Sequence, residues 1–182
     1  NNLGLVNFIL DEYNLDPGKY EEAYILASQW DHLEILEAIE KASGVGDTLS
    51  QSAKSTAMNE ACLLGKQEVV KHFLEQGLNV NAVDAGKKTP IFYAATGNHP
   101  HIIQLLLESG ADLTWREKDG YTAIANAVTC RACHSIPVMV QALDNLPGQK
   151  QIILDQAIQV SENQRTFEIT DFLRRSQGTI RT

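Results

Sequence analysis

Shifted against itself by 33 residues, the chain coincides with itself through a whole unit, and no other feature restricts its fold as much. Thr56, Thr89 and Thr122 fall on one another, and so do Ala61, Ala94 and Ala127. The same shift carries Val69-Val70 to Ile102-Ile103, His72-Phe73-Leu74 to Leu105-Leu106-Leu107, Gly77 to Gly110, Asn79 to Asp112 and Val80 to Leu113. Each unit reads as a Thr placed to cap a first turn, a short apolar helix with small residues in its middle, a turn, and a second helix. That second helix has one apolar face at the helical period and ends at a glycine, where a left-handed cap is expected. An extended segment and a polar turn such as Glu117-Lys118-Asp119-Gly120 follow. One helix pair cannot bury both of its apolar faces, so the units must stack, with Ala61, Ala94, Ala95 and Ala127 letting neighbouring first helices approach closely. The predicted fold class is an all-α solenoid of helix-turn-helix units with protruding finger turns.

Residues 87–128 (KKTPIFYAATGNHPHIIQLLLESGADLTWREKDGYTAIANAV) carry a Thr-Pro start, an Ala-Ala pair, a Leu-Leu-Leu second helix and a Gly-Ala-Asp exit, and in these they resemble the ankyrin-repeat family. Residues 55–83 are a second good copy, with Ala57 where the family has Pro. Residues 21–44 fit as a degenerate copy at a shift of 34, and residues 3–17 resemble the second helix and exit of an earlier unit. The expected division is a partial unit over 1–20, a degenerate unit over 21–54, units over 55–87 and 88–120, a unit over 121–148, and capping helices over 149–182. In the 121–148 unit, setting Met139-Val140-Gln141 against Ile102-Ile103-Gln104 asks for four residues inserted in the helix-to-helix loop. Because the chain starts mid-pattern at Asn1-Asn2, it is expected to be a piece of a larger protein. The resemblance implies a His two residues after the Pro, where this chain has Asn59, Phe92 and Ala125. It also implies a turn glycine before the Thr, which is Gly120 in one unit but Lys87 in another, so less uniform finger turns are expected.

Charge narrows the partners. The 182 residues carry a formal −8, and residues 1–40 alone hold nine acidic residues against one basic. A phosphate backbone is repelled by such a chain, and no basic patch beyond the doublets Lys87-Lys88 and Arg174-Arg175 opposes this, so nucleic acid is not an expected partner. The acidic end is instead suited to steer a basic protein partner. No apolar run is long enough to span a membrane, and none is expected as a partner. Three cysteines form no disulfide framework and point to a reducing intracellular compartment, cytoplasm or nucleus, or a host cell if the chain comes from a bacterial effector. A monomer is expected.

Cys130-Arg131-Ala132-Cys133-His134 formally matches the attachment motif of c-type haem, but a stack of helix pairs offers no pocket for a macrocycle. A metal or redox sensor at Cys130, Cys133 and His134 stays as a remote reading, since a fourth ligand is not at hand in sequence. His32, His72, His99 and His101 read as helix-surface or turn residues, and no phosphate-binding glycine loop, dinucleotide fingerprint or H-E-x-x-H is present. No cofactor and no catalytic residue is expected.

By the family resemblance, finger turns and first helices line a concave groove that grips a partner. The corresponding residues are Gln29, Trp30, Ser52, Ser55, Leu63, Leu64, Ala85, Lys88, Thr96, Lys118, Asp119, Tyr121 and Thr129. Trp30, Leu63, Leu64 and Tyr121 are large and apolar, the kind of residue that anchors interfaces. The expected function is therefore a non-catalytic module binding a protein or peptide through its concave face. The alternative is the recognition or targeting arm of a larger multidomain enzyme or bacterial effector.

Overall fold

The computed structural model of the protein describes residues 17–42 and 49–178. The copy expected over residues 3–17 lies outside these except for Pro17. The chain divides into two compact units, Asn1–Asn79 and Val80–Thr182. Among the described residues every regular element is helical.

The first unit contains α1 (Pro17–Gln29), α2 (Leu33–Lys41), α3 (Gln51–Leu64) and α4 (Gln67–Glu75). α1 packs on α2 and α3, and α3 packs on α4. Their shared core is built from Tyr24, Leu36, Ile39, Met58, Val69, Val70 and Phe73, with the rings of Tyr24 and Phe73 centred 5.8 Å apart. Thr56, expected at the start of a unit, lies inside α3: the helix begins at Gln51, because the Ser50 hydroxyl accepts the Ala53 N–H at 3.1 Å and caps it there. Nothing in residues 51–55 breaks a helix, and Thr56 instead donates back to the Ser52 carbonyl at 2.9 Å.

In the second unit α5 (Pro90–Thr96) and α6 (Pro100–Glu108) form one pair, and α7 (Ala123–Thr129) and α8 (Ser135–Ala142) the next. After a single 3₁₀ turn (Leu143–Asn145), α9 (Pro147–Asn163) and α10 (Phe167–Gly178) form the last pair. The first helices α5, α7 and α9 lie side by side, as do α6 and α8. Ala94, Ala95, Ala125 and Ala127 have no exposed surface, as expected of small residues between close helices. Here Thr122 does cap its helix, accepting the Ala125 N–H at 3.4 Å, whereas Thr89 stands at the cap position without that bond.

The second helices end as their glycines dictate. Gly77 and Gly110 have φ of 77° and 88°, and the paired bonds Gly77 N–H to Leu74 O and Leu78 N–H to Phe73 O recur as Gly110 to Leu107 and Ala111 to Leu106. The turn inside each helix pair has its own signature, an N–H bonded to the carbonyl five residues back: His32 to Ala27, Lys66 to Ala61, His99 to Ala94, Ala132 to Ala127 and Thr166 to Ser161. Just before each donor stands a left-handed residue, Asp31, Gly65, Asn98, Arg131 or Arg165. The pair over 147–178, which shows none of the repeat's turn signals in sequence, therefore makes the same turn.

This register contradicts the expected four-residue insertion. Asn98 and Arg131 are 33 apart, and so are the donor pairs His99 with Ala132 and Ile103 with Ile136, each bonded to the matching carbonyl. Ile103 and Ile136 are equally buried, as are Leu106 and Met139, and the shift of 33 runs unbroken through α8. The misleading signal is Ser135, which takes the buried place of Ile102 and breaks the apolar pattern.

The finger turns are also more alike than their sequences imply. Asp84 N–H bonds Lys88 O at 3.1 Å and Lys87 N–H bonds Asp84 O at 3.0 Å; 33 residues on, Glu117 and Tyr121 make the first bond at 3.0 Å and Gly120 and Glu117 the second at 2.9 Å. Lys87, at φ 59°, adopts the left-handed backbone that Gly120 takes at φ 84°. The two fingers are joined by Lys118 N–H to Gly86 O at 2.9 Å, and Trp115 Nε1–H donates to Lys87 O at 2.7 Å.

Candidate protein-binding surfaces

In the first unit, Trp30 sits in the turn after α1 and is 69% exposed, while Leu64 is the last residue of α3 and 46% exposed. Exposed apolar side chains gathered on one rim are the kind of patch that marks an interaction site. With Gln29 and Lys66 they line a hollow of about 330 Å³. Gln29 Nε2 donates to Glu60 Oε2 at 3.2 Å, which ties the end of α1 to α3 and fixes the wall beside Trp30. Leu63 and Ser55 are half-buried on α3 and do not line this hollow. Ser55 lies nine residues before Leu64, a rise of roughly 13 Å along the helix. Lys66 is the lining residue that sequence reasoning missed; its place follows from the left-handed Gly65, which folds α4 back against the end of α3.

In the second unit the proposed residues fall into two places. Lys118, Asp119 and Tyr121 are exposed on the second finger, with Tyr121 at 43%, and Lys88 is half-buried on the first. Thr96 and Thr129 lie at the opposite ends of α5 and α7, away from the fingers. The Thr96 hydroxyl is engaged locally, donating to Phe92 O at 2.9 Å and accepting from Asn126 Nδ2 at 2.8 Å. Asp84 supports the first finger: Oδ1 accepts the Lys88 N–H at 2.8 Å and Oδ2 accepts the Tyr93 hydroxyl. Partial burial pushes its carboxyl up, but these bonds, the Gly86 N–H and the Lys88 charge outweigh it and hold the carboxyl below its ordinary value. Glu117 holds the second finger in the same way, accepting the Tyr121 N–H at 3.2 Å.

Cys130, Cys133 and His134 lie on the exposed α7–α8 turn. Asn98 staples this turn: its Oδ1 accepts the backbone N–H of His134 at 3.1 Å and of Ser135 at 3.0 Å, and its Nδ2 lies 2.9 Å from His134 Nδ1. Among the described residues no three His, Cys, Asp or Glu side chains gather to hold a metal ion. His72, read from sequence as a helix-surface residue, is largely buried, with Nε2 2.9 Å from Glu40 Oε2. Among the described residues no helix is long and apolar enough to cross a membrane.

Residues 58–145 match a family model described as ankyrin repeats, in three copies. The chain is 32% identical to human Rabankyrin-5 over 126 residues, which is 66% of this chain and 11% of that protein. It is 31% identical to human SH3 and multiple ankyrin repeat domains protein 2 over 140 residues, 75% of this chain and 7% of that protein. Over 99 residues it is 30% identical to the E3 ubiquitin-protein ligase hecd-1 of Caenorhabditis elegans, 54% of this chain and 4% of that protein. The chain thus spans a small fraction of the length of these relatives.

Proposed function

Since the chain belongs to the ankyrin-repeat family, whose repeats are non-catalytic modules that mediate protein–protein interaction, we propose that it binds a protein or peptide partner through the first helices and finger turns of its repeats. The observation that carries this reading is the hollow of Trp30, Leu64, Gln29 and Lys66, a rim with an exposed indole and an exposed leucine beside it. Trp30 is the anchor, because a large rigid side chain buried at an interface contributes most of the binding energy at little entropic cost. Gln29, Leu64 and Lys66 line the hollow beside it, and Ser55 and Leu63 stand further along α3 on the first unit. On the second unit Lys88, Lys118, Asp119 and Tyr121 set register, with Thr96 at the foot of its helix. The acidic first 40 residues favour a partner with basic character.

The test is capture from lysate by the immobilised chain, run beside Trp30→Ala/Leu64→Ser and Lys118→Glu/Tyr121→Ala variants whose helicity is checked by circular dichroism. A protein retained by the wild type and lost by either folded variant supports the reading and names the partner. The same proteins retained by all three overturn it.

The similarity to a ubiquitin ligase over a stretch that is 4% of the ligase's length favours a second reading, in which this chain is the recognition arm of a larger enzyme. The full-length gene product distinguishes the two: a catalytic domain on the same chain supports the arm, and its absence supports the free-standing binder.

A further inference from the structure

We propose that the turn end of the last two helix pairs is a second docking surface, taking an acidic peptide segment with an aromatic or large aliphatic side chain. A hollow of about 430 Å³ opens there, lined by Arg131, Cys133, Arg165, Thr166, Phe167, Glu168 and Ile169. Phe167 is 76% exposed, which exceeds every other large apolar residue described, and it stands at the start of α10 with no neighbour covering it.

The arginines decide what covers that ring. Arg116 donates to Gly120 O at 2.8 Å, Arg174 is paired with Glu162, and Arg175 lies 3.6 Å from Asp171. The guanidiniums of Arg131 and Arg165 have no hydrogen-bonded or ionic partner among the described residues, and both residues line this one hollow. In a chain with a formal −8, two unpaired guanidiniums against the single carboxylate of Glu168 make the field on this rim opposite to that of the whole. Both residues also occupy left-handed backbone positions, at φ 56° and 57°, where arginine is disfavoured and the equivalent residue of α3 is Gly65. Local structure therefore does not explain arginine at either place, and a ligand that needs the guanidiniums does. Carboxylates of the incoming segment pair with Arg131 and Arg165 in the bidentate geometry that guanidinium favours, and its apolar side chain covers Phe167. Glu168, the one acid on the rim, sets the limit of the segment, because a carboxylate placed against it is repelled. This surface shares no residue with the Trp30 hollow or the fingers.

The probe is a fluorescein-labelled Asp-Asp-Phe-Glu-Asp peptide titrated against the full chain by anisotropy. Expected are saturable binding that weakens with salt, no binding of the Asn-Asn-Phe-Gln-Asn isostere, and about tenfold weaker binding by Arg131→Gly/Arg165→Gly and by Phe167→Ser. The glycine variant suits the backbone at both positions, so its fold is preserved. Glu168→Gln tightens binding, Trp30→Ala leaves it unchanged, and bound peptide slows alkylation of Cys133 in a Cys130→Ser background. Equal binding of the amide peptide, or unchanged binding by the arginine variant, overturns the proposal. So does a chain that ignores the peptide and sediments as a dimer dissociated by Arg131→Gly/Arg165→Gly, since the occupant is then another copy.

Discussion

His72 Nε2 lies 2.9 Å from Glu40 Oε2, and the other oxygen of Glu40 accepts the Tyr24 hydroxyl at 2.5 Å. One carboxylate on α2 thereby ties together α1 and α4, with only 12% and 21% of the His72 and Glu40 side chains reaching solvent. Replacing Glu40 by Ala leaves two largely buried polar groups without their partner and is expected to cost about 2–3 kcal/mol, while Gln, which keeps the shape and one acceptor, costs about 1. Urea denaturation checks this; an Ala variant as stable as the wild type removes the tie from the account.

Burial, then the hydrogen bond and the charge of Glu40, push the Tyr24 phenol well above its ordinary value of 10.0. A raised value in the folded state means that the stability is fully present below pH 10 and is lost as pH rises, because only the unfolded chain ionises readily there. Burial pushes the Cys62 thiol up from 9.0 and adds a slope of the same sign. Tyr24→Phe removes the tyrosine part alone. The expected result is a variant less stable than wild type at neutral pH but with a flatter decline between about pH 10 and 11, read by thermal melts.

Asp84 works at the other end of the scale. Its carboxyl is held below the ordinary 3.8, so its contribution is present above that value and is lost as pH falls through and below it. Asp84→Asn is expected to flatten the acid limb of the stability profile below about pH 4, and to loosen the first finger, seen as faster hydrogen exchange at the Lys88 N–H. An unchanged acid limb contradicts the assignment.

Lys87 pays for its left-handed backbone where Gly120 does not. Lys87→Gly is expected to stabilise by about 0.5 kcal/mol, the relief of strain being partly cancelled by the freer unfolded chain. The converse change, Gly110→Ala, meets no atom within 4 Å of the added Cβ, so its cost is the strain alone, about 1 kcal/mol. Chemical denaturation of the two variants gives opposite signs; a destabilised Lys87→Gly shows that its side chain contributes more than its backbone costs.

The recurrence at 33 residues was enough to derive the helix pairs, the alanine seams and the glycine caps, because each depends on neighbours within one unit and repeats wherever the pattern does. Local pattern misled at three places. Thr56 reads as a cap, yet Ser50 starts α3 a turn and a half earlier. Ser135 in an isoleucine's place imitates an insertion that the unbroken turn register excludes. Lys87 makes the turn of a glycine because the bonds of Asp84 and Trp115 around it hold that conformation.

Trp30, Leu64, Lys118, Asp119 and Tyr121 were legible as candidates from type and place in the repeat, since an apolar residue at a turn is conspicuous. Which of them share a hollow was not, and Lys66, Arg131, Arg165 and Phe167 gave no signal at all. A repeat's sequence determines its own fold through contacts one unit away. The surface it offers a partner depends on which side chains from different turns meet on one rim and which of them find partners within the chain, and only the packed tertiary structure decides that.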